Sequence, residues 1–342
     1  MSRIDLAAAV SPIVAQAIAD RVFPGAVIEA GRANGPIGTV AAGTLAYDPG
    51  SPAVDEHTIY DLASLTKVVA TAALMTDDVA SGRMRLDDRV RHWIASWTGE
   101  DRQSVTIRDL LEHASGLPAH RKYFESRHSR ASFEAAICEE PLAYPPRSRS
   151  AYSDPGFILL GFAMENAAKE PLDQQFYRWR NRELGPDIEL RFGPGHDWID
   201  RIAPTENGPQ GEQRRGEVHD ENALALGGVA AHAGLFGTAP AVGAAARWWM
   251  KSPSLPLFAT KTAVPGSSRA LGWDTMLPTS SCGTRMSSRA FGHTGFTGTS
   301  LWLDPDRRVY VVLLTNRVYP DRQNQAIARV RPAVHDAVMS EV

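Results

Sequence analysis

Apolar residues recur at three- and four-residue steps at Ile4, Val10, Ile13, Val14, Ala17, Ile18 and Val22, and the stripe stops at Phe23-Pro24-Gly25. This period predicts an N-terminal helix with one buried face. Residues 26–30 and 39–45 are short β-prone runs on either side of Asn34-Gly35-Pro36, the pattern of a hairpin. Helical spacing returns at Leu65, Val68, Val69, Ala72, Ala73 and Val79, with no Gly or Pro before Gly82. A largely buried helix is expected over 68–79. Strand signal then fades until residue 269. In that stretch 106–111 opens with Thr106 and Asp109 in a capping-box pattern, and His113-Ala114-Ser115-Gly116-Leu117-Pro118 ends the helix. Residues 133–137 and 157–168 are further helical pieces. Residues 185–222, rich in Gly, Pro and charge, read as a long surface loop of functional or mobile character. Three runs, 269–277, 290–303 and 308–315, predict late strands, the last two joined by a turn at Asp304-Pro305-Asp306-Arg307. A closing helix is expected over 323–338.

The order helix, hairpin, helical insert, strands, helix predicts an α/β (α+β) fold in which an antiparallel sheet is flanked by helices. Residues 1–58 and 225–342 would form the sheet domain, and 59–224 a mainly helical domain carrying the 185–222 loop. No internal repeat or low-complexity tract interrupts this order.

Composition narrows the function classes. The 342 residues, 43% hydrophobic and 22% charged, suit a globular protein with a sizeable core. A net charge of -3 leaves no electrostatic footprint for nucleic acid or an anionic membrane surface. Cys138 and Cys282 lie far apart without metal-ligand spacing, so neither a disulfide framework nor a zinc knuckle is expected. No basic start leads into an apolar core at the N-terminus, and no apolar run reaches the ~18 residues of a membrane span. The expectation is a cytoplasmic protein with a small-molecule or short-peptide partner.

The candidate chemistry centres on Asp61-Leu62-Ala63-Ser64-Leu65-Thr66-Lys67. A hydroxyl and an amine three positions apart on a helix share one face. Serine needs a base within hydrogen-bond reach to act as a nucleophile near neutral pH, and a lysine can serve only if its surroundings disfavour the ammonium. With 5 lysines against 31 arginines in the chain, Ser-x-x-Lys arises by chance roughly 0.3 times at ordinary serine frequency. Alone, Ser64 could equally be a helix cap and Lys67 a snorkelling surface residue. Taken singly, Tyr152 could be a half-buried aromatic, Thr294-Gly295 a strand bulge, and His113 a loop tie.

Three features in chain order change that balance: Ser64-Leu65-Thr66-Lys67, Tyr152-Ser153-Asp154, and His293-Thr294-Gly295. Together with Ile59-Tyr60-Asp61-Leu62-Ala63, Leu110-Leu111-Glu112-His113-Ala114-Ser115-Gly116-Leu117-Pro118 and Phe291 to Gly298, they resemble the serine β-lactamase and penicillin-binding protein superfamily. The likeness is strongest to its class C-like branch, which includes DD-peptidases, family VIII carboxylesterases and N-acetylmuramoyl-L-alanine amidase-like members. The resemblance implies a β-lactamase/transpeptidase-like fold and a serine hydrolase that needs no cofactor. In it Ser64 would be acylated, Lys67 would shuttle the proton, and Tyr152 would be the general base, helped toward phenolate by Lys67 and His293. Backbone N–H groups of Ser64 and Phe296 would form the oxyanion hole, and Asp154, His293, Thr294 and Gly295 would meet substrate.

Two positions depart from the family pattern. Asp154 stands where many members have an asparagine that donates to the substrate's acylamino group, which an ionised carboxylate cannot do. His293 replaces the more usual lysine and weakens a fixed charge for a substrate carboxylate. Efficient β-lactam hydrolysis is therefore not expected; an amidase, peptidase or esterase fits better. A further stretch, with Ala203-Pro204-Thr205-Glu206, His219-Asp220-Glu221-Asn222 and Gly227 to Phe236, resembles β-lactamase-fold proteins of peptidoglycan-fragment recycling. It implies a muropeptide or related amide as substrate, with His219, Asp220 and His232 fixing loops or gripping it. Carboxylate and imidazole there also suit zinc, but the Gly-rich setting favours a backbone corner, and no metal is expected. The alternatives are a promiscuous carboxylesterase or weak β-lactamase and, in another class, a non-catalytic binder of cell-wall fragments.

Overall fold

The computed structural model describes residues 4–342, so the first three residues of the N-terminal reading lie outside the described residues. Both ends of the chain build one six-stranded antiparallel sheet. Its strands are β1 (Gly25–Arg32) and β2 (Gly35–Gly43), and β6 (Asp274–Thr275), β7 (Phe291–Thr294), β8 (Ser300–Asp304) and β9 (Val309–Thr315), in the order β2-β1-β9-β8-β7-β6. A small second sheet pairs β3 (Tyr60–Asp61) and β4 (Leu190–Phe192) with β5 (Leu235–Gly237).

Period-two alternation explains how the large sheet is covered on both faces. Ala26, Ile28 and Ala30 of β1, with Val309, Val311 and Leu313 of β9, pack under the terminal helices Leu6–Ala19 and Ile327–Glu341. Val27 of β1, with Val312 and Leu314 of β9, faces the other way, against the helix Ala239–Lys251 and the helical region. Glu29 falls on this second face, where burial raises its carboxyl above the ordinary range and Tyr310 Oη (2.6 Å) and Arg247 (3.0 Å) donate to it. No helix among the described residues is long and apolar enough to cross a membrane.

Several local expectations change. The run 290–303 is two strands, parted by a turn in which Gly298 has φ +113° and Gly295 N–H bonds Thr299 O at 2.8 Å. The helix expected over 68–79 is a π turn (Lys67–Thr71) followed by an α-helix (Ala72–Ala80), and a 3₁₀ turn (Ala63–Leu65) precedes both. Apolar spacing alone does not separate these turn types, because each buries closely spaced residues of the same run. The widened π turn leaves Val68 O to accept the Trp249 indole at 3.0 Å. The 185–222 stretch holds β4 and a 3₁₀ helix, His196–Arg201, and buries Trp198 and Ile202. The closing helix begins at Ile327, four residues later than expected.

Candidate active site

Ser64 lies where β3 turns into the core. Ala63, just before it, has φ +47°, a conformation that costs a non-glycine residue about 1–3 kcal/mol. Asp61 holds the turn, accepting the N–H of Ala63 on one oxygen and that of His219 on the other, each at 2.7 Å. Burial pushes this carboxyl up to about 6. An Asp61→Asn variant would present an amide NH₂ to one of those N–H groups and lose that bond. We expect a loss of about 1–3 kcal/mol in denaturant unfolding, together with lower activity as the Ser64 turn relaxes; unchanged unfolding would show the turn to be held elsewhere.

Two groups converge on Ser64 Oγ: Tyr152 Oη donates at 2.6 Å and Lys67 Nζ at 3.1 Å. Lys67 is fully buried and spends its other donors on Asp154 Oδ1 (2.8 Å) and the carbonyl of His232 (3.1 Å). Burial works against its charge, but Asp154 and Tyr152 outweigh burial and hold the ammonium above its ordinary range. Burial would raise Asp154 too, yet Lys67 and His120 keep it well below the carboxylate range. Burial pushes the Tyr152 phenol above its usual value, against the pull of Lys67. The resting site is therefore phenol, ammonium and carboxylate. Because Asp154 fixes the ammonium, removing one proton from the unit yields phenolate, a base already 2.6 Å from the serine hydroxyl.

The loop carrying Tyr152 is locked by the 113–119 segment. Ser153 N–H donates to His113 Nδ1 at 2.9 Å, Ser153 Oγ to Pro118 O at 2.7 Å, and Asp154 N–H to Ala119 O at 3.0 Å. Ser153 also caps the helix Asp154–Ala168. At Gly116, φ +90°, a Cβ would lie 2.4 Å from Tyr144 O, so only glycine fits. Across the cleft the 295–299 turn is pinned to the serine turn by Thr297 Oγ1 to Asp61 O (2.7 Å) and Thr299 Oγ1 to Leu62 O (3.1 Å). A Cβ on Gly295 would meet Leu62 O at 2.6 Å. Phe296 thereby sits in the wall of the same cleft as Ser64, a space of about 900 Å³.

The Beta-lactamase family model matches residues 10–335. The chain belongs to the beta-lactamase family. A relative in Escherichia coli, named "Putative D-alanyl-D-alanine carboxypeptidase", is 30% identical over 304 residues, 76% of this chain and 69% of the relative. Among solved structures, EstCE1, a hydrolase with promiscuous acyltransferase activity, superposes with a TM-score of 0.79 at 24% identity, covering 98% of each chain. A penicillin-binding protein homolog from Caulobacter crescentus gives a TM-score of 0.78 at 20% identity, over 99% of this chain and 98% of its own. The chain is a serine hydrolase with the β-lactamase fold.

Within this family site, the other sequence-selected residues divide. Thr294, Gly295, Asp154, His219 and Asp220 line the cleft. His293 lines it as well, but as a neutral ring: burial pushes it down to about 3, and Nδ1–H donates to Thr294 O at 2.8 Å. It is thus not the second cation expected beside Tyr152. His232, expected to fix loops or grip substrate, is not among the residues that line the cleft. Its buried ring meets Asp220 Oδ1 at 2.8 Å, and its backbone, not its side chain, serves Lys67. His219 stacks on Phe296 and bonds Glu206 at 3.2 Å. Among the described residues no three His, Cys, Asp or Glu side chains are grouped to hold a metal.

Sequence reasoning missed His120, 3.7 Å from Asp154, and the cleft arginines Arg269, Arg317, Arg322 and Arg331. Arginines are so common in this chain that none of them stood out.

Proposed function

We propose that the protein hydrolyses an amide bond in a cell-wall-derived muropeptide or related small amide, through an acyl-enzyme at Ser64. The observation that carries this reading is the double donation to Ser64 Oγ from Tyr152 and Lys67. In the active protonation state Tyr152 is phenolate. It takes the Ser64 proton as Oγ attacks the carbonyl, and the oxyanion forms against the N–H groups of Ser64 and Phe296. Tyr152 then passes the proton to the leaving amine, and the C–N bond breaks. Water enters and Tyr152 takes its proton as the hydroxide adds to the acyl carbon; the Oγ–C bond then breaks as Tyr152 returns the proton to Ser64 Oγ, which gives the acid and free serine. Each oxyanion donor contributes roughly 10²–10³ in rate. The carboxypeptidase name of the relatives supports an amide substrate; peptidoglycan recycling in the cytoplasm is the setting this reading favours.

A second reading, a carboxylesterase, draws on Asp154. Held ionised by Lys67, it accepts hydrogen bonds only, so it offers nothing to an acylamino carbonyl. Turnover of a D-alanyl-D-alanine peptide, an N-acetylmuramoyl-L-alanine peptide and p-nitrophenyl acetate separates the two. We expect the larger kcat/KM on one of the muropeptides. A preference for the ester would replace the amidase reading with the esterase one. No turnover of any of the three, with no covalent labelling by a fluorophosphonate, would overturn both in favour of a binder.

A further inference from the structure

Four arginines line the cleft, and three are engaged. Arg322 pairs with Glu206 (2.6 Å) and Glu221 (2.7 Å). Arg317 donates to the carbonyls of Phe296, Arg322 and Asn324, and Arg331 to those of Gly295 and Thr299. Arg269 differs. Among the described residues its guanidinium donates no hydrogen bond, and its nearest carboxylate, Asp274, is 3.9 Å away. Its Cζ instead lies 5.3 Å from the centre of the Tyr152 ring.

The charges facing Tyr152 make that position consequential. Lys67 Nζ is 4.7 Å from the ring centre, but its charge is matched by Asp154 at 2.8 Å. His113 and His293, with ring centres 4.7 and 5.8 Å from that of Tyr152, are both buried and neutral. Around a phenol that must lose a proton, Lys67 pulls toward phenolate while Asp154 opposes it, the neutral imidazoles add no charge, and Arg269 is a further cation facing the ring. A cation over an aromatic face stabilises the ring, and more so once the ring carries negative charge.

We propose that Arg269 is a positioning residue for proton transfer, its guanidinium over the Tyr152 ring supplying the positive charge that the phenolate needs and that His293 does not provide. The inference rests on the reading of Tyr152 as general base. Its removal makes the phenol hold its proton more tightly, so the acid limb of the kcat/KM profile moves to higher pH.

The test is the pH dependence of kcat/KM for p-nitrophenyl acetate, an ester without a carboxylate, in wild type, Arg269→Gln, Arg269→Lys and Tyr152→Phe. We expect the acid limb to shift upward by about one unit in Arg269→Gln, a tenfold loss at fixed pH on that limb, and to return most of the way in Arg269→Lys. An unmoved limb in Arg269→Gln, whether the rate falls evenly at all pH values or only KM for carboxylate-bearing peptides rises, would overturn the proposal. If Tyr152→Phe itself keeps a wild-type limb, the general-base reading fails and the proposal falls with it. If Tyr152→Phe abolishes the limb while Arg269→Gln leaves it in place, only the role of Arg269 fails.

Discussion

Ser64→Ala is expected to lower kcat on the best substrate by about 10⁶-fold while leaving the protein folded. Knocking out the serine of such a unit costs about as much as removing the whole unit, because the proton acceptor is useless without the hydroxyl it serves. What remains is whatever the oxyanion donors and binding alone supply. Stability should barely change. The hydroxyl is partly open to the cleft, and its loss frees Tyr152 and Lys67 of one acceptor each, while Lys67 keeps Asp154 and His232 O. Intact-mass spectrometry after a fluorophosphonate should add one adduct to wild type and none to the variant. An adduct on Ser64→Ala, or activity within a hundredfold of wild type, would place the nucleophile elsewhere.

What could be read from the sequence follows from how local each feature is. Ser64 and Lys67 meet because three residues of any tight helical turn bring them together, so the spacing was sufficient even though the turns are 3₁₀ and π rather than α. The sheet followed from short β-prone runs bounded by turn residues, such as those of β1 and β9, which both carry apolar residues on each face. Features that depend on burial or on distant partners were not legible. The Lys67–Asp154 pair spans 87 positions, and it reverses the expected lowering of the lysine. The neutrality of His293 comes from packing around it, and the letter His carries no sign of that. The division of 290–303 hinges on Gly298 at φ +113°, where a run of β-prone residues hid the turn. Asp61 was visible only as part of a motif. Its work, joining the serine turn to His219, 158 positions away, required the fold.

Lys67→Met should cost both stability and activity, and the two losses should come apart in a second variant. The amine makes three hydrogen bonds from a fully buried position. Methionine fills its volume and leaves Asp154 with only His120 nearby, at 3.7 Å. Breaking a buried pair by removing one partner costs about 3–5 kcal/mol, and unfolding in denaturant near pH 7 should lose that order of stability. The pH dependence has a defined sign. In wild type the folded Asp154 is held below its unfolded value, so its contribution is present above the ordinary carboxylate range, ~3.9, and is lost as pH falls through the depressed value. In Lys67→Met the largest opposing pull is gone and burial acts on Asp154 against the histidines alone, which raises its value, so the variant lacks that contribution above the carboxylate range. The gap between the two proteins should therefore narrow on acidification below about pH 4. Activity should fall by roughly 10²–10⁴, the scale of a lost proton-transfer partner. Replacing the pair with Lys67→Met and Asp154→Leu together removes the stranded charge, and buried pairs exchanged for apolar groups are often neutral in stability. The double variant should regain most of the stability and none of the activity. Recovery of both would mean that Lys67 and Asp154 serve the fold alone, and that proton transfer at Ser64 proceeds without them.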